Sequence, residues 1–194
     1  MKYRLKQLAA YVCVGMFIVL MMGALVTKTD SGRGCGDDWP LCNGKFVPAY
    51  TIESLIEWSH RFVTGLEGLL IAAVFYGVWR YSKLPAARWY VSLTALFTVV
   101  QSLMGAAAVK WPQSASVMAL HFGLSLLAFA CSLLLYMSLR EFDGSASANA
   151  KADGTSTRPL SGSLLAWSWI AFTACYIVVY LGAYVKHTTS SGGC

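Results

Sequence analysis

Five stretches of this chain, at about residues 8–27, 54–81, 88–109, 116–139 and 163–185, are apolar over lengths that match a membrane. At about 1.5 Å of rise per residue each crosses roughly 30 Å of hydrocarbon as a helix. Lipid offers no hydrogen bonds, so every backbone amide and carbonyl must be satisfied within the segment, and a helix does this. The sequence therefore predicts an all-α integral membrane protein: a four-helix transmembrane bundle plus a fifth transmembrane helix. With 57% hydrophobic and 12% charged residues the chain is too apolar for an ordinary soluble domain. Lys2, Arg4 and Lys6 precede the first stretch, as in a secretory signal. The apolar run is long, no small-residue cleavage site stands out and more spans follow, so it reads as a retained helix.

Loop charges set the orientation. Lys2, Arg4 and Lys6, then Arg80, Lys83 and Arg88, then Arg140, Lys151 and Arg158 all fall on one side, which the positive-inside bias makes cytoplasmic. The other side carries Lys28, Arg33, Lys45, Lys110 and Lys186, offset by Asp30, Asp37, Asp38 and Glu53. The net charge of +6 is mostly this bias and needs no nucleic-acid partner.

Within the second span lies Glu57-Trp58-Ser59-His60-Arg61, an ionisable cluster inside an apolar helix. Such groups are costly in hydrocarbon and by default mark a functional site with partners. A second intramembrane histidine, His121, lies in the fourth span. In this topology both helices run inward, from about Ser54 and Ser116, which puts both histidines on the order of 8–9 Å below the outer surface. Two imidazoles at matched depth are what a haem between the helices needs. A hydrogen-bonded core histidine is the alternative for His121. Glu57 shares a helical face with His60 and is placed to handle protons beside such a haem. Its alternative is an ion pair with Arg61, four residues on, and both can hold; Arg61 could instead meet a haem propionate. Glu67 lies deeper, roughly on the His60 face, with its state open.

Residues 28–53 form one sizeable outer loop with Cys35 and Cys42. A pair this close on the oxidising side reads as a disulfide staple or as a redox-active dithiol. Cys13, Cys131 and Cys175 lie within spans and read as small packing residues. Residues 143–162 have the composition of a flexible cytoplasmic linker between a four-helix unit, 1–142, and the fifth helix, 163–194.

An ungapped repeat joins the first and fifth helices. Gly23-Ala-Leu-Val-Thr-Lys-Thr-Asp-Ser-Gly-Arg-Gly-Cys35 and Gly182-Ala-Tyr-Val-Lys-His-Thr-Thr-Ser-Ser-Gly-Gly-Cys194 share Gly, Ala, Val, Thr, Ser, Gly and Cys in register. Internal repeats are common in membrane proteins. The repeat implies that the fifth helix opens a second copy of the unit, in a truncated product of a longer protein. A stand-alone cap is the rival reading.

The chain resembles the haem A synthase family, in its Bacillus-like branch. The likeness rests on Gly23-Ala-Leu-Val-Thr-Lys-Thr29 with Ser31-Gly-Arg-Gly-Cys35, Trp39-Pro-Leu-Cys42 and Ile56-Glu-Trp-Ser-His-Arg61, and further on Met118-Ala-Leu-His-Phe-Gly123 and Tyr180-Leu-Gly-Ala-Tyr-Val-Lys-His187. It covers nearly the whole chain. The resemblance implies the first half of a pseudo-two-fold, eight-helix fold, multi-pass in the cell membrane. It implies oxidation of the C8 methyl of haem O to a formyl group, giving haem A for terminal oxidases. Carried over, His60 and His121 are axial iron ligands of the substrate haem O, Glu57 is the catalytic carboxylate, and Cys35 and Cys42 are the outer-loop pair. The haem b cofactor belongs to the second half, whose histidine pair is absent from these residues. Haem O synthase is the implied substrate donor, terminal oxidase assembly the recipient, and a second copy of the chain an alternative partner. The competing readings are a b-type membrane cytochrome and a haem carrier, for which a carboxylate beside the ligand is not required.

Overall fold

The structure is a computed structural model that describes residues 2–48, 50–111, 114–141 and 162–188. The described residues form five α-helices: α1 (Lys2–Lys28), α2 (Ile52–Tyr81), α3 (Pro85–Lys110), α4 (Ala115–Glu141) and α5 (Gly162–His187). Each falls on one of the five apolar stretches. Helices α1 to α4 are long and apolar enough to cross a membrane, and the described apolar stretch of α5 is Trp169–Gly182. Large apolar side chains point away from the protein on every helix, among them Tyr11, Leu69, Leu103, Met137 and Ile170. That is the surface of a multi-pass membrane protein, for which lipid is the solvent. Most of the expected linker, residues 143–161, lies outside the described residues, as does Cys194.

The chain divides into two compact bodies. One comprises residues 1–112 and 124–140; the other comprises 113–123 and 141–194.

In the first body α1 and α2 pack through a series of side-chain-into-glycine contacts. A Cβ at Gly77 of α2 would lie 2.6 Å from Leu5 Cδ2 of α1. A Cβ at Gly15 of α1 would overlap the Glu67 carboxylate of α2, and a Cβ at Gly23 of α1 would lie 3.3 Å from His60 Cε1 of α2. In each pair the two residue numbers add to 82 or 83, as one antiparallel register requires. Small residues let membrane helices approach closely where no hydrophobic effect drives them together. Here each glycine receives one named side chain.

The core below the site follows helical spacing: Ala9, Val12 and Met16 from α1, Ile71, Val74 and Val78 from α2, Ala87 and Val91 from α3, Ala128 and Leu135 from α4. Two hydroxyls of α3 are satisfied on their own helix: Ser92 Oγ donates to Arg88 O and Thr94 Oγ1 to Tyr90 O, at 2.8 and 2.9 Å. The α2–α3 turn is short because Pro85 starts α3 and Arg88 donates back to Ser82 O at 3.0 Å, close to the end of α2. Cys131 is buried and Cys13 half-buried, whereas Cys175 is exposed, against the packing role expected of it.

Glu67 is 5% exposed, and its Oε1 has no hydrogen-bond partner among the described residues. The carboxyl occupies the notch left by Gly15. Gly15→Val should therefore destabilise the purified protein in detergent by about 1–3 kcal/mol through overpacking. Glu67→Ser in the same chain should recover much of that loss, a coupling of neighbouring sites that a double-mutant cycle of thermal unfolding reads directly. Additive effects would separate the two positions.

Candidate functional site

The N-terminal end of α2 is built as a latch. Thr51 caps the helix, its side chain accepting from Ser54 N at 3.3 Å. Four side chains of the first three turns then reach the 29–50 loop. Ser54 Oγ donates to Gly34 O. Trp58 Nε1 donates to Phe46 O at 2.9 Å. Glu57 Oε2 accepts from the Cys35 backbone N–H at 2.8 Å, and Glu57 Oε1 pairs with Arg61 Nη2. Arg61 Nη1 donates to Asp38 O at 2.8 Å and Leu41 O at 2.9 Å. Residues 54, 57, 58 and 61 share one face by helical spacing, so a single side of α2 holds the loop.

The loop has its own frame. Cys35 and Cys42 form a disulfide, with Cα atoms 4.4 Å apart and both residues buried. Cys42 and Lys45 exchange two backbone hydrogen bonds, Cys42 N to Lys45 O at 2.9 Å and Lys45 N to Cys42 O at 3.0 Å. Between them Asn43 and Gly44 take φ of 51° and 73°, the turn that Asn-Gly favours in a tight hairpin. The Trp39–Pro40 peptide is cis. The staple reading of the two cysteines is thus realised in the fold; it does not decide their redox role.

Electrostatically, Glu57 is 3% exposed and would be costly alone. One carboxylate oxygen faces a guanidinium and the other a backbone N–H, so the charge is paired and hydrogen-bonded. Arg61 is committed to Glu57 and two loop carbonyls, the ion-pair alternative of the sequence rather than an open guanidinium.

His60 lies half-buried one turn along α2 from Glu57. Its ring edge rests against the bare backbone of Gly23 on α1: a Cβ there would meet Cε1 at 3.3 Å and Nε2 at 3.6 Å, with no other atom within 4 Å. Thr27 and Thr64 hydroxyls are spent on the carbonyls of Gly23 and His60, at 3.2 and 2.7 Å. The Cε1–Nε2 edge of the imidazole thus packs directly on the α1 backbone. That donor and cradle suit a planar, iron-centred ligand. In the second body His121 is half-buried near the start of α4. Two residues on, Gly123 is covered by Tyr176 of α5, whose hydroxyl would lie 2.5 Å from a Cβ at that position. Tyr176 in turn stacks on Phe172, ring centroids 6.4 Å apart.

Glu57, Arg61, Cys35 and Cys42 thus come together in one latch, with His60 on the next turn of α2. Sequence reasoning missed Gly23, Gly15 and the loop carbonyls that Arg61 takes. Glycine in an apolar run carries no partner signal, and backbone acceptors carry no sequence identity.

The fold and this site define a multi-pass α-helical membrane protein whose disulfide-stapled loop is latched to a histidine-bearing helix. The family described as COX15-CtaA, cytochrome oxidase assembly protein, matches residues 6–54 and 49–194. The chain belongs to that family. It is 43% identical over 197 residues to a haem A synthase of Bacillus licheniformis, covering 100% of this chain and 62% of the relative. It is 42% identical over 196 residues to one of Geobacillus kaustophilus, covering 100% and 60%, and 44% identical over 190 residues to one of Lysinibacillus sphaericus, covering 96% and 59%. The chain spans about 60% of the length of these relatives.

Two outcomes follow from the latch. Glu57→Ala strands the Arg61 charge and the Cys35 N–H, so it should destabilise the protein by about 3 kcal/mol. Limited proteolysis should show faster cutting between residues 29 and 51. Thiol labelling of the purified chain should leave Cys35 and Cys42 unmodified until a reductant is added; full labelling without reductant would contradict the disulfide.

Proposed function

We propose that this chain is the substrate-haem unit of a haem A synthase, acting in oxidation of the C8 methyl of haem O to a formyl group. The observation that carries the reading is the latch itself: Glu57, with both oxygens committed, holds the disulfide loop beside His60 and the bare Gly23 backbone. The names and identities of the relatives support it. Bound haem O supplies an iron that takes two imidazole nitrogens and a methyl group to be oxidised. His60 and His121, one on each of two spans, are the residues that would hold that iron. Glu57, one turn before His60, is the carboxylate placed to accept a proton released at the reacting edge, and Arg61 holds its Oε1 in place. The disulfide loop keeps bulk water from the outer end of the site. In this reading the N-terminus is cytoplasmic and the latch is on the outer face, as the loop charges favour. Haem O synthase delivers the substrate, terminal oxidase assembly receives haem A, and a haem b cofactor is held by residues outside this chain.

A b-type cytochrome is the second reading, favoured by the histidines alone. Pigment extraction separates the two. Membranes co-expressing the chain, a haem O synthase and the C-terminal part of the Bacillus licheniformis relative should yield haem O and haem A bound to the purified complex. Recovery of haem B only would mean a cytochrome. His60→Ala and His121→Ala should each lose the bound substrate haem. Glu57→Gln should keep haem O and form at least about a hundredfold less haem A, the lower end of the roughly 10²–10⁴-fold that a general base contributes. Loss of haem O itself in Glu57→Gln would make Glu57 structural.

A further inference from the structure

The α1–α2 register leaves a consequence at its outer end. Leu5 against Gly77 and Glu67 against Gly15 set how the two helices slide past one another. Eight residues beyond Gly15, the same register delivers Gly23 to the nitrogen edge of His60. The contact is direct and exclusive: within 4 Å of a Cβ at Gly23 lie only Cε1 and Nε2 of that imidazole. A carbon 3.3 Å from Cε1 is closer than the roughly 3.5–4.0 Å at which carbon atoms pack best, so any side chain on residue 23 must turn or push the ring. The Thr27 and Thr64 hydroxyls on either side donate to Gly23 O and His60 O.

We propose that Gly23 is a positioning residue for the iron-binding imidazole of His60, an inference that rests on His60 being a haem ligand. The bare backbone of Gly23 sets how closely the Cε1–Nε2 edge of the ring approaches α1, and with it the direction in which Nε2 points. Groups that orient a metal-binding histidine tune affinity and ligand field without touching the metal. Gly23 does this by shape alone.

Haem B is the probe, titrated into the purified 194-residue chain in detergent and followed by optical and electron paramagnetic resonance spectra and by midpoint potential. Gly23→Ala should still fold and bind, with affinity about tenfold weaker, a shifted low-spin signal and a changed potential. Gly23→Val should bind about a hundredfold more weakly or go high-spin. Gly65→Ala and Gly182→Ala, where a Cβ meets open space, should match the unmodified chain in all three readouts. His60→Ala distinguishes the two levels of the argument. Should it retain the unmodified low-spin spectrum, His60 is not a ligand and the underlying assignment falls. Should it lose that spectrum while Gly23→Ala and Gly23→Val keep affinity, signal and potential unchanged, the assignment stands and the role of Gly23 is overturned. Circular dichroism of Gly23→Ala guards against unfolding: a spectral shift with full helix content supports positioning, and a shift only in step with lost helix counts against it.

Discussion

Side chains entering glycine notches between α1 and α2 are the contact on which the rest depends. Lipid removes the hydrophobic drive between helices, so close packing must supply the attraction, and that is possible only where one backbone lacks a Cβ. Leu5 at Gly77, Glu67 at Gly15 and His60 at Gly23 are three such places in one antiparallel register. Shifting α1 by one residue would turn each notch by about 100° and drive Glu67 and His60 into side chains. The pairing therefore sets helix contact, the seat of an intramembrane carboxyl and the direction of a candidate ligand together.

At the outer end of α2 a second device takes over. The stapled loop has little core of its own; it is held by side chains that α2 projects toward it. Because Glu57 bonds the Cys35 N–H and Arg61 bonds the Asp38 and Leu41 carbonyls, the loop and the helix end form one polar unit. Each member neutralises or satisfies another, which is how a buried charge is tolerated so close to hydrocarbon. A carboxylate held this way has its position fixed by the loop, and the loop has its position on α2 fixed by the carboxylate.

The reading of Glu57-x-x-His60-Arg61 as a site was available from residue type and spacing, since ionisable groups inside an apolar helix announce themselves. So was the closeness of Cys35 and Cys42. What Glu57 and Arg61 touch was not. An i to i+4 ion pair follows from spacing, but a backbone N–H at Cys35 and carbonyls at Asp38 and Leu41 are set by the path of the loop. Glu67 shows the same limit: its place halfway along α2 was evident, its seat on Gly15 was not. Cys175 was misjudged because apolar surroundings in sequence do not separate a packed face from an outward one.

Sequence alone determined that the chain is a set of membrane helices, where each begins and ends within a few residues, and which span bears the ionisable cluster. The reason is local: apolar length, helix capping and turn chemistry are properties of contiguous residues. Tertiary structure decided the register of α1 on α2, the notches that receive Glu67 and His60, and the latch between α2 and its loop. These depend on shape matched across segments far apart in the chain, where a glycine matters for the side chain it admits. That information resides in pairs of surfaces and becomes visible only when they meet.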